Sequence, residues 1–183
     1  MFGFFFDSEK IYLILEYALG GELYKDLMDQ PSRSYSEDRA ANYIWQLCEA
    51  LKFMHSKDII HRDIKPENLL NCLGVIKIAD FGWSVHAPSD RRKTMCGTLD
   101  YLPPEMVATR GEVYDKRVDI WSVGVLAYEF CYGRPPFESK TSESTYEKIR
   151  NVELEFPGSV SNEFKDFVSG CLQKHPDHRY TLQ

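Results

Sequence analysis

Residues 61–68 read His-Arg-Asp-Ile-Lys-Pro-Glu-Asn, and Asp80-Phe81-Gly82 begins twelve residues after Asn68. Asp63 offers a carboxylate that can accept or orient the proton of a hydroxyl. The amide oxygen of Asn68 and the carboxylate of Asp80 are hard donors of the kind Mg²⁺ prefers. Lys65 sets a positive charge between them. This is equipment for moving a phosphoryl group, a transfer that needs little covalent help but an oriented nucleophile and a cation held against phosphates. Taken singly, Asp-Phe-Gly is an acceptable turn and His-Arg-Asp a surface charge cluster. Lys65 two residues after Asp63, Asn68 three further on and a hairpin-length gap to Asp80 have no such bland account.

The elements that must position these residues are legible around them. Ile11–Tyr17 is β-branched and aromatic and ends at the turn signal Gly20-Gly21, which predicts a strand, with another before it in Met1–Phe6. A short helix after Glu22 closes at Pro31-Ser32. The clearest helix starts at Ser36 as N-cap, with Glu37 and Asp38 at its positive end. Ile44, Leu47, Leu51 and Met54 lie on one stripe, and the helix ends near Ser56-Lys57. Asn68–Asn71 and Val75–Ile78 read as two short strands turning at Leu73-Gly74. Residues 83–105 carry no periodicity, and a stretch of that length without structure of its own is usually functional. Val118–Cys131 is apolar almost all round, the pattern of a buried central helix.

Composition narrows the class. The 183 residues suffice for one well-buried core, and 43% apolar with 27% charged is ordinary for a globular domain. A formal charge of −6 argues against nucleic acid and suits basic partners. No apolar run approaches the ~20 residues of a membrane span, and residues 1–6 lack the basic start of a signal peptide. Cys48, Cys72, Cys96, Cys131 and Cys171 are odd in number and scattered, so they read as free thiols in a reducing, intracellular compartment, with neither a zinc site nor a disulfide frame.

The combined motif matches the protein-kinase signature set part for part. Asp80–Glu105, above all Trp83-Ser84-Val85-His86-Ala87-Pro88, closely resembles the activation segment of Aurora serine/threonine kinases, and the similarity runs on to Arg179. The resemblance implies an α+β, mainly helical fold: the large C-terminal lobe of a kinase (19–183, without its final helix), preceded by the last small-lobe strands and the hinge (1–18). It implies ATP and Mg²⁺ as cofactors. Glu16, Tyr17 and Ala18 would be the hinge against the adenine, Leu15 the gatekeeper and Leu70 the floor under the base. Asp63 would orient the substrate hydroxyl, Lys65 steady the transferring phosphate, and Asn68 and Asp80, with Glu67 beside them in the nucleotide site, hold the metal. Thr98 would bond near Asp63 and Lys65. His61, Phe81 and Gly82 would be structural, as would Asp119, which anchors the catalytic-loop backbone, and Glu105, which pairs with Arg179.

Thr94, in Arg91-Arg92-Lys93-Thr94, is the expected phosphorylation site, with Arg62 as the bidentate partner of its phosphate. Glu67 and Glu129 resemble acidic positions that read an arginine shortly before the phosphoacceptor in basophilic kinases. The expected activity is ATP-dependent phosphorylation of Ser/Thr in basic-motif proteins. By resemblance it belongs to mitosis, at the spindle, centrosome or chromosomes, with scaffold proteins as activators. No Gly-rich phosphate loop, strand lysine or partner glutamate precedes the hinge within these residues. The expectation is therefore that this polypeptide alone transfers phosphate poorly, as a fragment of an active kinase. The alternative is a short, non-catalytic kinase-like interaction module.

Overall fold

The computed structural model of the chain describes residues 1–88, 92, 94, 96–108 and 113–182. Arg91 and Lys93, read above as neighbours of Thr94, lie outside the described residues, as do residues 89, 90 and 95 of the 83–105 stretch.

Antiparallel strands β1 (Gly3–Phe6) and β2 (Ile11–Ile14) open the chain, paired from Gly3↔Ile14 to Phe6↔Ile11. The run to Tyr17 was expected to be extended throughout, but β2 stops at Ile14 because β1 offers it no partner further on. Helix α1 (Leu23–Met28) leads to α2 (Glu37–Ser56), whose N-cap Ser36 accepts the Arg39 amide at 3.4 Å and which buries the Ile44, Leu47, Leu51 and Met54 stripe. Next come β3 (Ile59–Ile60), a 3₁₀ turn over Pro66–Asn68, and the hairpin of β4 (Leu69–Cys72) and β5 (Val75–Ile78). Asn68 was expected to begin a strand; Pro66 draws it into the turn instead, because proline suits the first turn of a helix. Leu73 and Gly74 both have positive φ (54° and 88°), the conformation that two-residue hairpin loops require and glycine adopts without strain.

The stretch expected to be structureless contains short ordered pieces. Phe81–Trp83 forms a 3₁₀ turn, β6 (Val85–His86) pairs with β3, Leu99–Tyr101 makes another turn, and α3 (Pro104–Val107) follows. These pieces are too short for a period to show. Helix α4 (Arg117–Tyr132) is buried along nearly its whole length, as its all-round apolar pattern requires, and is packed against α2 and α6 (Asn162–Cys171), with α5 (Ser142–Asn151) to one side against α3. Trp121 on α4 stacks on Phe137, and Phe130 meets Tyr35 and Tyr43 edge-on. Among the described residues, no helix is long and apolar enough to cross a membrane.

Candidate active site

The loop that starts at His61 is bolted to α4 through one buried carboxylate. Asp119 accepts the backbone amides of His61 (3.0 Å) and Arg62 (2.9 Å) and the Nε2 of His55 (2.8 Å). That grip holds Arg62 at φ +71°, a left-handed conformation a bulky residue adopts only when its surroundings over-determine it. Gly97 comes so close that a Cβ there would sit 2.8 Å from the Arg62 carbonyl oxygen.

Asp63, only 4% exposed, is held on both carboxylate oxygens. Oδ1 accepts the Thr98 hydroxyl at 3.0 Å, and Oδ2 accepts the Asn68 amide at 2.9 Å with the Lys65 ammonium 3.1 Å away. Lys65 also donates to the Thr98 oxygen at 2.8 Å, so Asp63, Lys65 and Thr98 form one closed set. The Nδ2 of Asn68 is committed to Asp63, its backbone oxygen at 2.8 Å as well as its carboxylate, which leaves Oδ1 as the acceptor free to face a cation.

The β4–β5 hairpin brings the two oxygen donors together. The Ala79 amide donates to the Asn68 carbonyl at 2.8 Å, which sets Asp80 beside Asn68 at the open end of the hairpin. The Ala79 carbonyl meets His61 Nε2 at 3.1 Å. Because His61 Nδ1 accepts the Asp63 amide at 3.3 Å, the ring is the neutral Nε2–H tautomer. His61 therefore packs beneath the loop, fully buried, with Phe81 against it edge-on at 5.2 Å. Asp80 is exposed, in a left-handed conformation (φ +53°), with Oδ1 accepting the Gly82 amide at 3.1 Å.

The segment from Glu16 to Glu22, which includes residues expected to form the hinge, meets the same hairpin. Gly20 and Gly21 exchange backbone bonds with Asn71, each 2.8 Å, and Glu22 bridges to Leu70, which is half-buried. Leu15 is 60% and Tyr17 79% exposed, with Glu16 exposed, its carboxylate 3.4 Å from Lys77, and Ala18 half-buried.

Glu129 is 6% exposed and accepts the Tyr101 hydroxyl. Burial, and after it the charges of Glu67, Asp100 and Glu138, push its carboxyl up to about 8. Glu67 itself is exposed. Glu105 and Arg179 form a buried two-pronged pair, both contacts 2.7 Å. Thr94 is exposed, and its carbonyl is linked to Arg62 through the hydroxyl of Tyr114. Sequence reasoning passed over Tyr114, Tyr101, Asp100, Glu138 and His55. Each is an isolated polar or aromatic residue, and nothing in its spacing says which distant group it meets.

Fold and site define a class: the protein kinase domain family matches residues 1–183, and the chain belongs to it. Within that family the similarity is to Aurora kinases. The chain is 55% identical over its whole length to an Aurora kinase of Patiria pectinifera, covering 45% of that protein. It is 55% identical to Aurora kinase C of Mus musculus (65% covered) and 54% to Aurora kinase B of the same species (52% covered). It thus spans about half the length of the relatives it matches. Kinases of this family use ATP and Mg²⁺ and act on proteins.

Proposed function

We propose that the chain carries the base, the metal ligands and the substrate-reading face of an Aurora-like serine/threonine kinase. The observation that supports it best is the Asp63 carboxylate, buried yet held on both oxygens by Thr98, Asn68 and Lys65. A carboxylate so fixed can orient a substrate hydroxyl and take its proton as the new oxygen–phosphorus bond forms. The bond from the γ-phosphorus to the bridging oxygen breaks, and ADP leaves with that electron pair. Lys65 lies where it can balance charge on the transferring group. Thr98, bonded to both, ties the activation segment to the base, a feature favouring Ser/Thr acceptors. Asn68 Oδ1 and the Asp80 carboxylate would be the oxygen ligands holding Mg²⁺, whose charge would offset that of the phosphates.

Leu15 and Glu16–Ala18 would border the adenine and Leu70 underlie it. Glu67 and Glu129 would read an upstream arginine or lysine, and a phosphate on Thr94 would bind Arg62. A mitotic role with scaffold activators at spindle, centrosome or chromosomes extends the same reading. One observation favours a second one, a non-catalytic interaction module: the β1–β2 hairpin exposes Phe4, Phe6, Ile11 and Leu13.

The deciding measurement is γ-phosphate transfer from ATP to a peptide with arginine upstream of serine, by the protein containing this chain and by its Asp63→Asn variant. Loss of the positioned base lowers the rate by about 10²–10⁴-fold. Equal rates would overturn the enzymatic reading in favour of the module.

A further inference from the structure

We propose that Tyr114 is a positioning residue that ties the Thr94 segment to the catalytic loop and presets Arg62 to receive a phosphate on Thr94. The inference rests on the kinase reading above.

A phenol offers one proton and two lone pairs, and Tyr114 uses them in opposite directions. Its hydroxyl donates to the Thr94 carbonyl at 2.8 Å and accepts from the Arg62 guanidinium at 2.9 Å. The side chain has little freedom to do anything else. Tyr114 is 3% exposed, and its backbone exchanges both hydrogen bonds with Arg92 at 3.0 Å, a two-residue bridge that holds the far side of the segment. The buried thiol of Cys96 borders the same hydroxyl.

Arg62 is equally constrained. Its amide is held by Asp119, its Nε donates to the Trp83 carbonyl at 2.6 Å, and one outer nitrogen donates to Tyr114. Among the described residues, the remaining Nη2 has no hydrogen-bond partner. The guanidinium is thus fixed on two nitrogens and, as far as the described residues go, open on the third, one hydroxyl away from the backbone of an exposed threonine. A phosphate on Thr94 would bring about −1.5 to −2 charges and three acceptors to that open edge. Guanidinium and phosphate would then bond directly.

The consequence is a dependence on phosphorylation state that a merely structural tyrosine would lack. While Thr94 is unmodified, the Tyr114 hydroxyl links the segment directly to Arg62. Once phosphate joins Thr94 to the guanidinium, the hydroxyl becomes redundant. Phenylalanine keeps the buried ring and removes only the bridge.

The test compares wild type with Tyr114→Phe in the protein containing this chain, each prepared with Thr94 fully dephosphorylated and fully phosphorylated. Expected is a fall in kcat of about tenfold in the unmodified form, the scale of one hydrogen bond to a charged group, and less than about twofold in the phosphorylated form. KM for ATP stays level. Hydrogen exchange at the Cys96 and Gly97 amides, which needs no turnover, should quicken in the unmodified variant only. Equal losses in both states, or unchanged exchange in the unmodified variant, overturn the proposal. A wild type without transferase activity that still shows the exchange difference would instead sink the kinase reading and leave the Tyr114 link standing.

Discussion

Glu129 shows how one buried side chain can carry a measurable pH signature. Its carboxyl lies well above the ordinary value, raised by burial first and then by Glu67, Asp100 and Glu138. The folded state therefore favours the protonated form. Its contribution to stability is complete below the ordinary value of 4.5 and is lost as pH rises through about 8. An arginine side chain wants the ionised form, so its arrival must expel the proton. For a peptide with upstream arginine, KM should fall as pH rises towards about 8, by at most roughly tenfold per pH unit. A peptide with alanine there should show no such slope, and Glu129→Gln should flatten it. A pH-independent KM for the arginine peptide on wild type would exclude Glu129 as the reader.

Among the elements, α4 does the positioning, because Asp119 on its first turn holds the loop at His61 and Arg62, and Glu129 on its last turn feels the charges of Glu67, Asp100 and Glu138. Its place depends on a close approach to α6 at Gly124. A Cβ on Gly124 would lie 2.7 Å from the Cys171 Cβ and 2.9 Å from the Leu172 Cγ, atoms near the backbone that cannot swing away. Gly124→Ala gains helix propensity but forces the two helices apart. Overpacking of this kind costs about 1–3 kcal/mol, and the urea midpoint should drop accordingly. A rise in the midpoint would mean that α6 can slide without loss.

At the scale of the molecule, Glu105 and Arg179 close the fold across 74 residues of sequence. Arg179 is also held by the carbonyls of Gln173 and Arg117, each at 3.0 Å, and lies over the Trp121 ring at 5.1 Å. With both partners buried, removing one leaves an uncompensated charge inside. Glu105→Gln should cost about 3–5 kcal/mol, whereas a paired replacement by Met at both positions should recover much of that loss. Urea unfolding of the single and double variants decides it: a double variant as unstable as the single one would show that the pair itself, and not the stranded charge, sets the stability.

Much of this was legible in the linear chain because the information is local. Asp63, Lys65 and Asn68 lie within one loop, so the chemistry proposed for them can be read from their spacing. The α2 stripe and the all-round apolar α4 follow from helical periodicity. The hairpin turn at Leu73-Gly74 follows from the conformations those positions need. Strand ends and the short pieces between Phe81 and Val107 were not legible, since pairing partners and single turns leave no period.

What the sequence by itself determined is therefore the family resemblance, on which the proposed reaction class rests, and the principal helices. Only the tertiary structure decided that Asp119 grips the backbone at Arg62, that Tyr101 and Glu138 join Glu67 and Asp100 around Glu129, and that Tyr114 stands between Thr94 and Arg62. These contacts join residues far apart in the chain, and a hydrogen bond between distant residues depends on where folding places them, a position that neither propensity nor spacing encodes.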